Sequence, residues 1–244
     1  MLPVRSHRHR AVGLTIATLL ALAALLPACT ASPATVEGGR VQGLYNLFLF
    51  AAAAVFVVVA GLIGWNIVRY RAGDDASLPV QTHTNLVLEL LWWALPTALV
   101  IGLFIASAVV LNTNDARSAN PAVSVRVESF QWQWRFTYSQ SGVVVTGLAG
   151  APPQLVLPVG ETIDFQLVSD DVVHAFFVPK FLVKRDAVPG IDNHLQLTIN
   201  QAGTYAGQCA EFCGLLHDQM LFSIRAVSPT EFQAWLAGQP RSAQ

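Results

Sequence analysis

The sequence predicts a membrane-anchored all-β protein, built as a transmembrane helical hairpin of two helices, an outer β domain and a short C-terminal helix. Three observations predict it. Only 12% of the 244 residues are charged while 53% are hydrophobic, against roughly 25% charge in an average soluble domain. The apolar residues concentrate in long uncharged stretches in the first half. From Pro121 onward the pattern changes to short alternating runs separated by Pro and Gly, the period of strands. The same composition excludes intrinsic disorder, which needs few apolar residues and high net charge. A formal net charge of -1 provides no global field for nucleic acid, so no nucleic-acid partner is expected. Three cysteines cannot make a disulfide framework.

Three apolar stretches come first. Arg5, Arg8 and Arg10 precede an uncharged run over residues 11–28 that ends in Leu26-Pro27-Ala28. A basic region, an apolar core and small residues at the end are the layout of a secretory signal, so residues 1–28 read as a signal peptide and residues 29–43 as an N-terminal loop. Cys29 after Leu-x-Ala resembles a lipoprotein acceptor, in which Cys29 is the first mature residue. His7 and His9 fall in the discarded region. The second stretch lies between Arg40 and Arg69 and holds 28 residues without a charge; the third, residues 90–114, holds 25. A helix needs about 20 apolar residues to cross the hydrocarbon core, so residues 44–114 read as the hairpin. Trp92 and Trp93 stand near the start of the third stretch, where an aromatic belt lies. Arg69 and Arg71 in the short linker place it in the cytoplasm by the positive-inside rule, whereas Asp74 and Asp75 contribute little. The N-terminus and everything after about Asn112 then lie on the outer face.

Residues 115–244 read as the outer domain. Strand-like runs occupy residues 123–127, 132–138, 155–157, 162–168, 173–178, 195–199, 204–208 and 220–227. Many short strands at close spacing mean a sandwich or barrel. Ser228-Pro229-Thr230-Glu231 is a capping box with Pro at the first helical position, and Phe232, Trp235 and Leu236 follow on one face. From Asn112 on, eleven acidic residues face eight basic ones. That mildly favours a basic partner and equally fits a solvated surface.

Residues 207–220 carry the chemistry. Within twelve residues they place Cys209, Cys213, His217 and Met220, and His174 supplies a second imidazole that a strand could bring to the same end of the domain. Thiolate, imidazole and thioether are the soft or borderline donors that select copper. Three plainer readings compete: a Cys209–Cys213 disulfide in an oxidising compartment, a structural zinc on two Cys and two His, and a mononuclear blue copper site that uses one thiolate. The first leaves His217 and Met220 without a reason, the second leaves Met220, the third leaves a cysteine. Two thiolates and two imidazoles suit two metal ions best. Each sulfur can bridge the pair, each imidazole can cap one ion, and Met220 and a backbone carbonyl near Glu211 can complete the spheres. Such a pair shares one electron, so bond lengths shift little on reduction. No position is open for substrate, which points to electron relay.

Here the residues reach a family. The chain resembles subunit II of bacterial cytochrome c oxidase over nearly all its length after the signal. The resemblance rests on Cys209-x-Glu211-x-Cys213-x-x-x-His217-x-x-Met220 with His174 upstream, on Val183-Lys184-Arg185-Asp186-Ala187-Val188-Pro189-Gly190, on the run from Gly203 to Cys209, and on two helices followed by a cupredoxin-like Greek-key barrel. It implies two copper ions in a dinuclear Cu-A centre, held by His174, Cys209, Cys213, His217, Met220 and the Glu211 carbonyl. It implies a magnesium ion shared with subunit I through the Glu211 side chain. The run Phe130-Gln131-Trp132-Gln133-Trp134-Arg135-Phe136 resembles the aromatic segment over the copper, which makes Trp132 the acceptor of electrons from a c-type cytochrome. Gln133 departs from the aromatic residue often found between the two Trp. Alternatively both Trp are ordinary strand aromatics, which at that spacing point to one face. Glu89, at the mouth of the third apolar stretch, is implied to open a proton path into subunit I; otherwise it is an interfacial charge. Trp92, Trp93, His83 and His194 read as interfacial or surface residues.

The implied function is electron transfer to haem in subunit I, where oxygen becomes water with proton pumping. The partners are subunit I, other oxidase subunits, the cytochrome donor and the bilayer of a bacterial plasma membrane. No Cys-x-x-Cys-His occurs, so the donor is a separate protein. A copper-delivery protein would favour Met-rich sites, and this chain has two Met. A quinol oxidase subunit of the same fold would lack the ligands.

Overall fold

A computed structural model of the chain describes residues 32–71, 81, 83–148 and 150–240. The signal peptide, Cys29 and most of the linker with Asp74 and Asp75 lie outside the described residues. The chain divides into two compact units. One contains Leu44–Ala108, the other Ala31–Gly43 together with Val109–Gln244.

The first unit is the body of two helices, α1 (Val36–Arg69, 34 residues) and α2 (Leu86–Asp115, 30 residues). At 1.5 Å per residue they are ~51 and ~45 Å long, more than the ~30 Å hydrocarbon core requires. Their hydropathies are 2.7 and 2.4, with none of the most apolar stretch buried inside the protein. Phe50, Trp65 and Phe104 stand 68%, 64% and 71% exposed. A helix of a soluble domain hides an apolar stripe; these are apolar all round and uncovered, as a lipid solvent demands. Pro96 lies inside α2 and removes one backbone donor; next to it the Thr97 hydroxyl donates to the Trp93 carbonyl at 2.8 Å.

In the second unit the expected loop at 29–43 is corrected: helix α1 already begins at Val36. Thr35 caps it, accepting the Gly38 N–H at 3.0 Å and donating to the Phe181 carbonyl at 3.2 Å. A Cβ at Gly38 would lie 2.3 Å from that same carbonyl oxygen, so only glycine permits the approach. Glu37 accepts the Thr198 N–H at 2.9 Å. Gly38, part of the composition that reads as a loop, therefore serves close packing.

The remainder is a sandwich of two five-stranded sheets. Its strands are β1 (Val123–Phe130), β2 (Gln133–Tyr138), β3 (Val144–Thr146), β4 (Gln154–Pro158), β5 (Thr162–Ser169), β6 (His174–Val178), β7 (Val183–Ala187), β8 (Asn193–Thr198), β9 (Gly203–Cys209) and β10 (Leu221–Val227). The sheet orders are β3-β2-β1-β5-β8 and β4-β10-β9-β6-β7. β1 with β5 and β10 with β4 pair in parallel; the other pairs are antiparallel. Strand β1 alternates buried and partly buried positions throughout, which fills the core from one face. Val125, Val127, Phe136, Leu155, Phe165, Leu167 and Ile224 are fully buried there.

Two strands differ from expectation. β3 is three residues long, too short to show alternation. β7 carries Lys184, Arg185 and Asp186 and pairs only with β6; charges are tolerated at such an edge because one side faces water. Helix α3 (Pro229–Ala237) begins as expected, with Ser228 accepting the Glu231 N–H. The Glu231 carboxylate turns instead to Arg225, 2.8 Å away, so half of the box forms. Phe232 is buried, and Trp235 and Leu236 pack on the core.

Candidate metal centre

Three strand ends, a loop and a short turn build the site. β6 opens with His174, β9 closes with Cys209, a loop carries Cys213, a short 3-10 turn (His217–Gln219) presents His217, and Met220 precedes β10. Pairing of Phe176 with Cys209 across β6 and β9 brings the distant histidine to the cysteines. The Cys209 N–H donates to the Met220 carbonyl at 3.0 Å, which closes the ligand loop on itself.

The two sulfurs lie 3.9 Å apart and unbonded. Around Cys209 Sγ stand His174 Nδ1 at 3.9 Å and the Glu211 carbonyl oxygen at 3.3 Å. Around Cys213 Sγ stand His217 Nδ1 at 3.5 Å and Met220 Sδ at 3.8 Å. Each sulfur thus has one imidazole and one weaker donor. The ligand atoms of His174, Cys209 and Cys213 all fall within 4.8 Å of one another; His217 is outside that mutual group. His174, Cys209, Cys213 and Met220 are 0%, 4%, 3% and 1% exposed, while His217 is half-buried.

A buried cluster of this kind strongly perturbs its thiols. Burial raises the Cys209 thiol, but the His174 imidazole and the Ala175 and Glu211 backbone outweigh it and hold Cys209 below the usual thiol range. Burial and the neighbouring Cys209 charge push Cys213 upward. Burial alone would lower His174; contact with Cys209 and with Asp171 raises it instead. Asp171 Oδ1 lies 2.9 Å from His174 Nε2, so a carboxylate orients the imidazole from behind, as at many metal-bound histidines. Burial opposes the Asp171 charge, yet its bonds from His174 and from the N–H groups of Gln131 and Val172 hold it below the usual carboxylate range.

Both tryptophans reach the ligand loop, by different routes. Trp132 lies in the turn before β2, not in the strand, and its indole N–H donates to the Cys213 carbonyl at 3.2 Å. Trp134 is wholly buried in β2 and donates to the Met220 carbonyl at 3.3 Å. The two do not share one strand face: Trp134 is a core residue and Trp132 a half-buried residue beside the site. Phe212 and Leu215 project outward, 81% and 83% exposed. The Glu211 side chain points away from the sulfurs and pairs with Lys184 at 3.2 Å.

Other expected residues lie elsewhere. Glu89 sits in the first turn of α2, half-buried, and accepts the Asn85 N–H at 3.4 Å. Trp92 and Trp93 are exposed on that helix, at 59% and 71%, and His83 is exposed before it. His194 is corrected: it is half-buried rather than a surface residue, with Nδ1 at 2.9 Å from Asp164 and 2.8 Å from Arg117. Asp171 and Gln131 are the site residues that sequence reasoning passed over. The acid three positions before His174 was the available signal for Asp171; Gln131 offered none.

Fold and cluster together define a class: a two-helix membrane anchor bearing a β-sandwich with a buried cradle of soft metal donors. Residues 123–227 match the family model described as cytochrome C oxidase subunit II, periplasmic domain, and residues 23–110 match the transmembrane domain of the same subunit. A probable cytochrome c oxidase subunit 2 of Nocardia farcinica is 32% identical, over 84% of this chain and 72% of that one. The cytochrome c oxidase subunit 2 of Mycobacterium tuberculosis is 30% identical, over 96% of this chain and 82% of that one. Among solved structures, the periplasmic domain of subunit II of cytochrome oxidase from Bradyrhizobium japonicum is 29% identical, covering 50% of this chain and 96% of that one with a TM-score of 0.46. The chain belongs to the cytochrome c oxidase subunit II family, and its sandwich is that family's cupredoxin-like domain.

Proposed function

We propose that the chain accepts electrons from a c-type cytochrome at a dinuclear copper centre and passes them to haem in subunit I of a proton-pumping oxidase. The observation that carries this reading is the division of donors between the two sulfurs. One tetrahedral ion with bonds of about 2.0–2.3 Å would draw all four Cys and His ligand atoms within about 3.8 Å of one another. Here His217 falls outside the mutual group formed by His174 and the two cysteines, which favours two ions over one. A sulfur separation of 3.9 Å is less than two metal–thiolate bonds of about 2.3 Å, so Cys209 and Cys213 would be placed to hold the copper together. The donor set suits copper. When bound, the copper pair would supply a one-electron store shared over two metals.

The protein's own part is to hold the donors and exclude water. His174 is wholly buried and oriented by Asp171. Trp132 supplies a half-buried indole joined by its N–H to the Cys213 carbonyl, a short route from a docked donor to a ligand. Glu89 stands half-buried on the first turn of α2, near the end of the apolar stretch, where a proton path could open. The Glu211 carboxylate suits magnesium, which prefers oxygen donors. Lys184, which pairs with Glu211 at 3.2 Å, would compete for that carboxylate, and subunit I would complete the site. Arg69 and Arg71 favour a cytoplasmic linker, with the copper domain and the N-terminus outside and residues 1–28 removed as a signal.

Copper analysis with electron paramagnetic resonance on the purified chain tests the reading. Two coppers per chain, with one unpaired electron spread equally over two nuclei, are expected. One zinc, or one copper with a mononuclear spectrum, overturns it.

A further inference from the structure

The turn between β1 and β2 does more than present Trp132. Residues 210–216, which carry Cys213, form no strand, so no sheet ladder holds that ligand's backbone. Two donors from the neighbouring turn do so instead. Gln131 Nε2 lies 2.8 Å from the Cys213 carbonyl, closer than the Trp132 indole at 3.2 Å. The Gln131 backbone N–H donates to Asp171 Oδ2 at 2.7 Å, and the other oxygen of that carboxylate meets His174 Nε2 at 2.9 Å. Gly214 is shaped for the approach. Its φ is +119°, and a Cβ there would lie 3.2 Å from Gln131 Nε2 and 3.3 Å from the Trp132 ring.

We propose that Gln131 is a positioning residue that ties the two halves of the metal centre together, its side-chain amide holding Cys213 and its backbone N–H holding the carboxylate that orients His174. This rests on the dinuclear copper reading above. The physical consequence has a sign. A hydrogen bond donated to a ligand's carbonyl draws electron density from it and favours the electron-rich, reduced centre. Removing the donor shifts the centre toward its oxidised form. It also loosens Cys213 relative to His174, so the unpaired electron is no longer shared equally.

Gln131→Met retains the length of the side chain without its donor, and Gln131→Ala removes both; each leaves the backbone N–H in place. The copper-loaded full chain is measured by redox titration and by electron paramagnetic resonance. Both variants are expected to shift the oxidised-to-reduced ratio at fixed poise at least threefold toward oxidised and to make the two copper couplings unequal. Loss of one copper is the same result in stronger form. An unchanged ratio and spectrum in both variants overturns the proposal while the unmutated chain still shows the shared spectrum; absence of that spectrum in the unmutated chain overturns the copper reading itself. If neither variant folds, hydrogen exchange of the Gln131 side-chain amide in the unmutated chain decides. Protection supports the bond to Cys213, and exchange at the solvent rate overturns it.

Discussion

The phenolic oxygen of Tyr138 bonds both backbone groups of Val156, donating to its carbonyl at 2.8 Å and accepting its N–H at 2.9 Å. Tyr138 is in β2 and Val156 in β4, so one buried hydroxyl links the two sheets and satisfies the outward edge of the second. Tyr138→Phe leaves that donor and acceptor without their partner. A cost of about 1–3 kcal/mol is expected, measured by chemical unfolding of the purified chain, with copper content unchanged. A loss below a few tenths of a kcal/mol would show that water replaces the phenol.

The same residue sets an alkaline limit. Burial raises the Tyr138 phenol above its ordinary value, against a smaller lowering by the Val156 backbone. The folded chain therefore keeps a proton that the unfolded chain loses above about pH 10. This contribution is fully present below that pH and is lost as pH rises further. Unfolding free energy measured from pH 8 to 11 should fall at the upper end, and the fall should be smaller in Tyr138→Phe.

Gly38→Ala drives a methyl group into the Phe181 carbonyl oxygen, a backbone atom with little freedom to move, at a starting separation of 2.3 Å. Overpacking of this kind costs about 1–3 kcal/mol. A lower melting temperature of the sandwich is expected, whereas Gly39→Ala, with open space around it, should leave it unchanged.

Trp132→Ala should slow electron uptake from a c-type cytochrome at least tenfold, about 1.4 kcal/mol of barrier, with both coppers retained. Stopped-flow reduction of the loaded oxidase reads this directly. Equal uptake rates would remove Trp132 from the route.

Glu89→Gln keeps the size of the side chain and removes its charge. In the assembled oxidase, slower oxygen consumption is expected together with normal reduction of the copper centre, because Glu89 belongs to the helical unit and the donors to the sandwich. Unimpaired turnover would make Glu89 an ordinary interfacial charge.

Much of this architecture was legible because its forces are local and repeated. Uncharged runs of 28 and 25 residues have few stable fates outside a bilayer, and a two-residue period marks β1 and β5 directly. Four of the clustered soft side chains were legible as candidates because they crowd twelve residues. What sequence reasoning missed depends on distant partners. The first turn of α1 looks like loop composition until Phe181, far along the chain, explains why Gly38 must be bare. β7 hides behind its charges, and Trp132 leaves the strand because a turn intervenes. His194 looked like a surface residue because its partners, Asp164 and Arg117, are 30 and 77 residues away.

On the copper reading proposed above, the placement of His174 sets an order of assembly. Four side-chain donors arrive on one short piece of chain, but the fifth lies 35 residues upstream of Cys209 and joins them only when β6 zips against β9. A nascent chain that has not yet made that pairing offers bare thiols and an incomplete cage. On that reading full occupancy would certify that the sandwich has closed, and cargo loaded too early would have to be held by the two thiols, His217 and Met220 without His174.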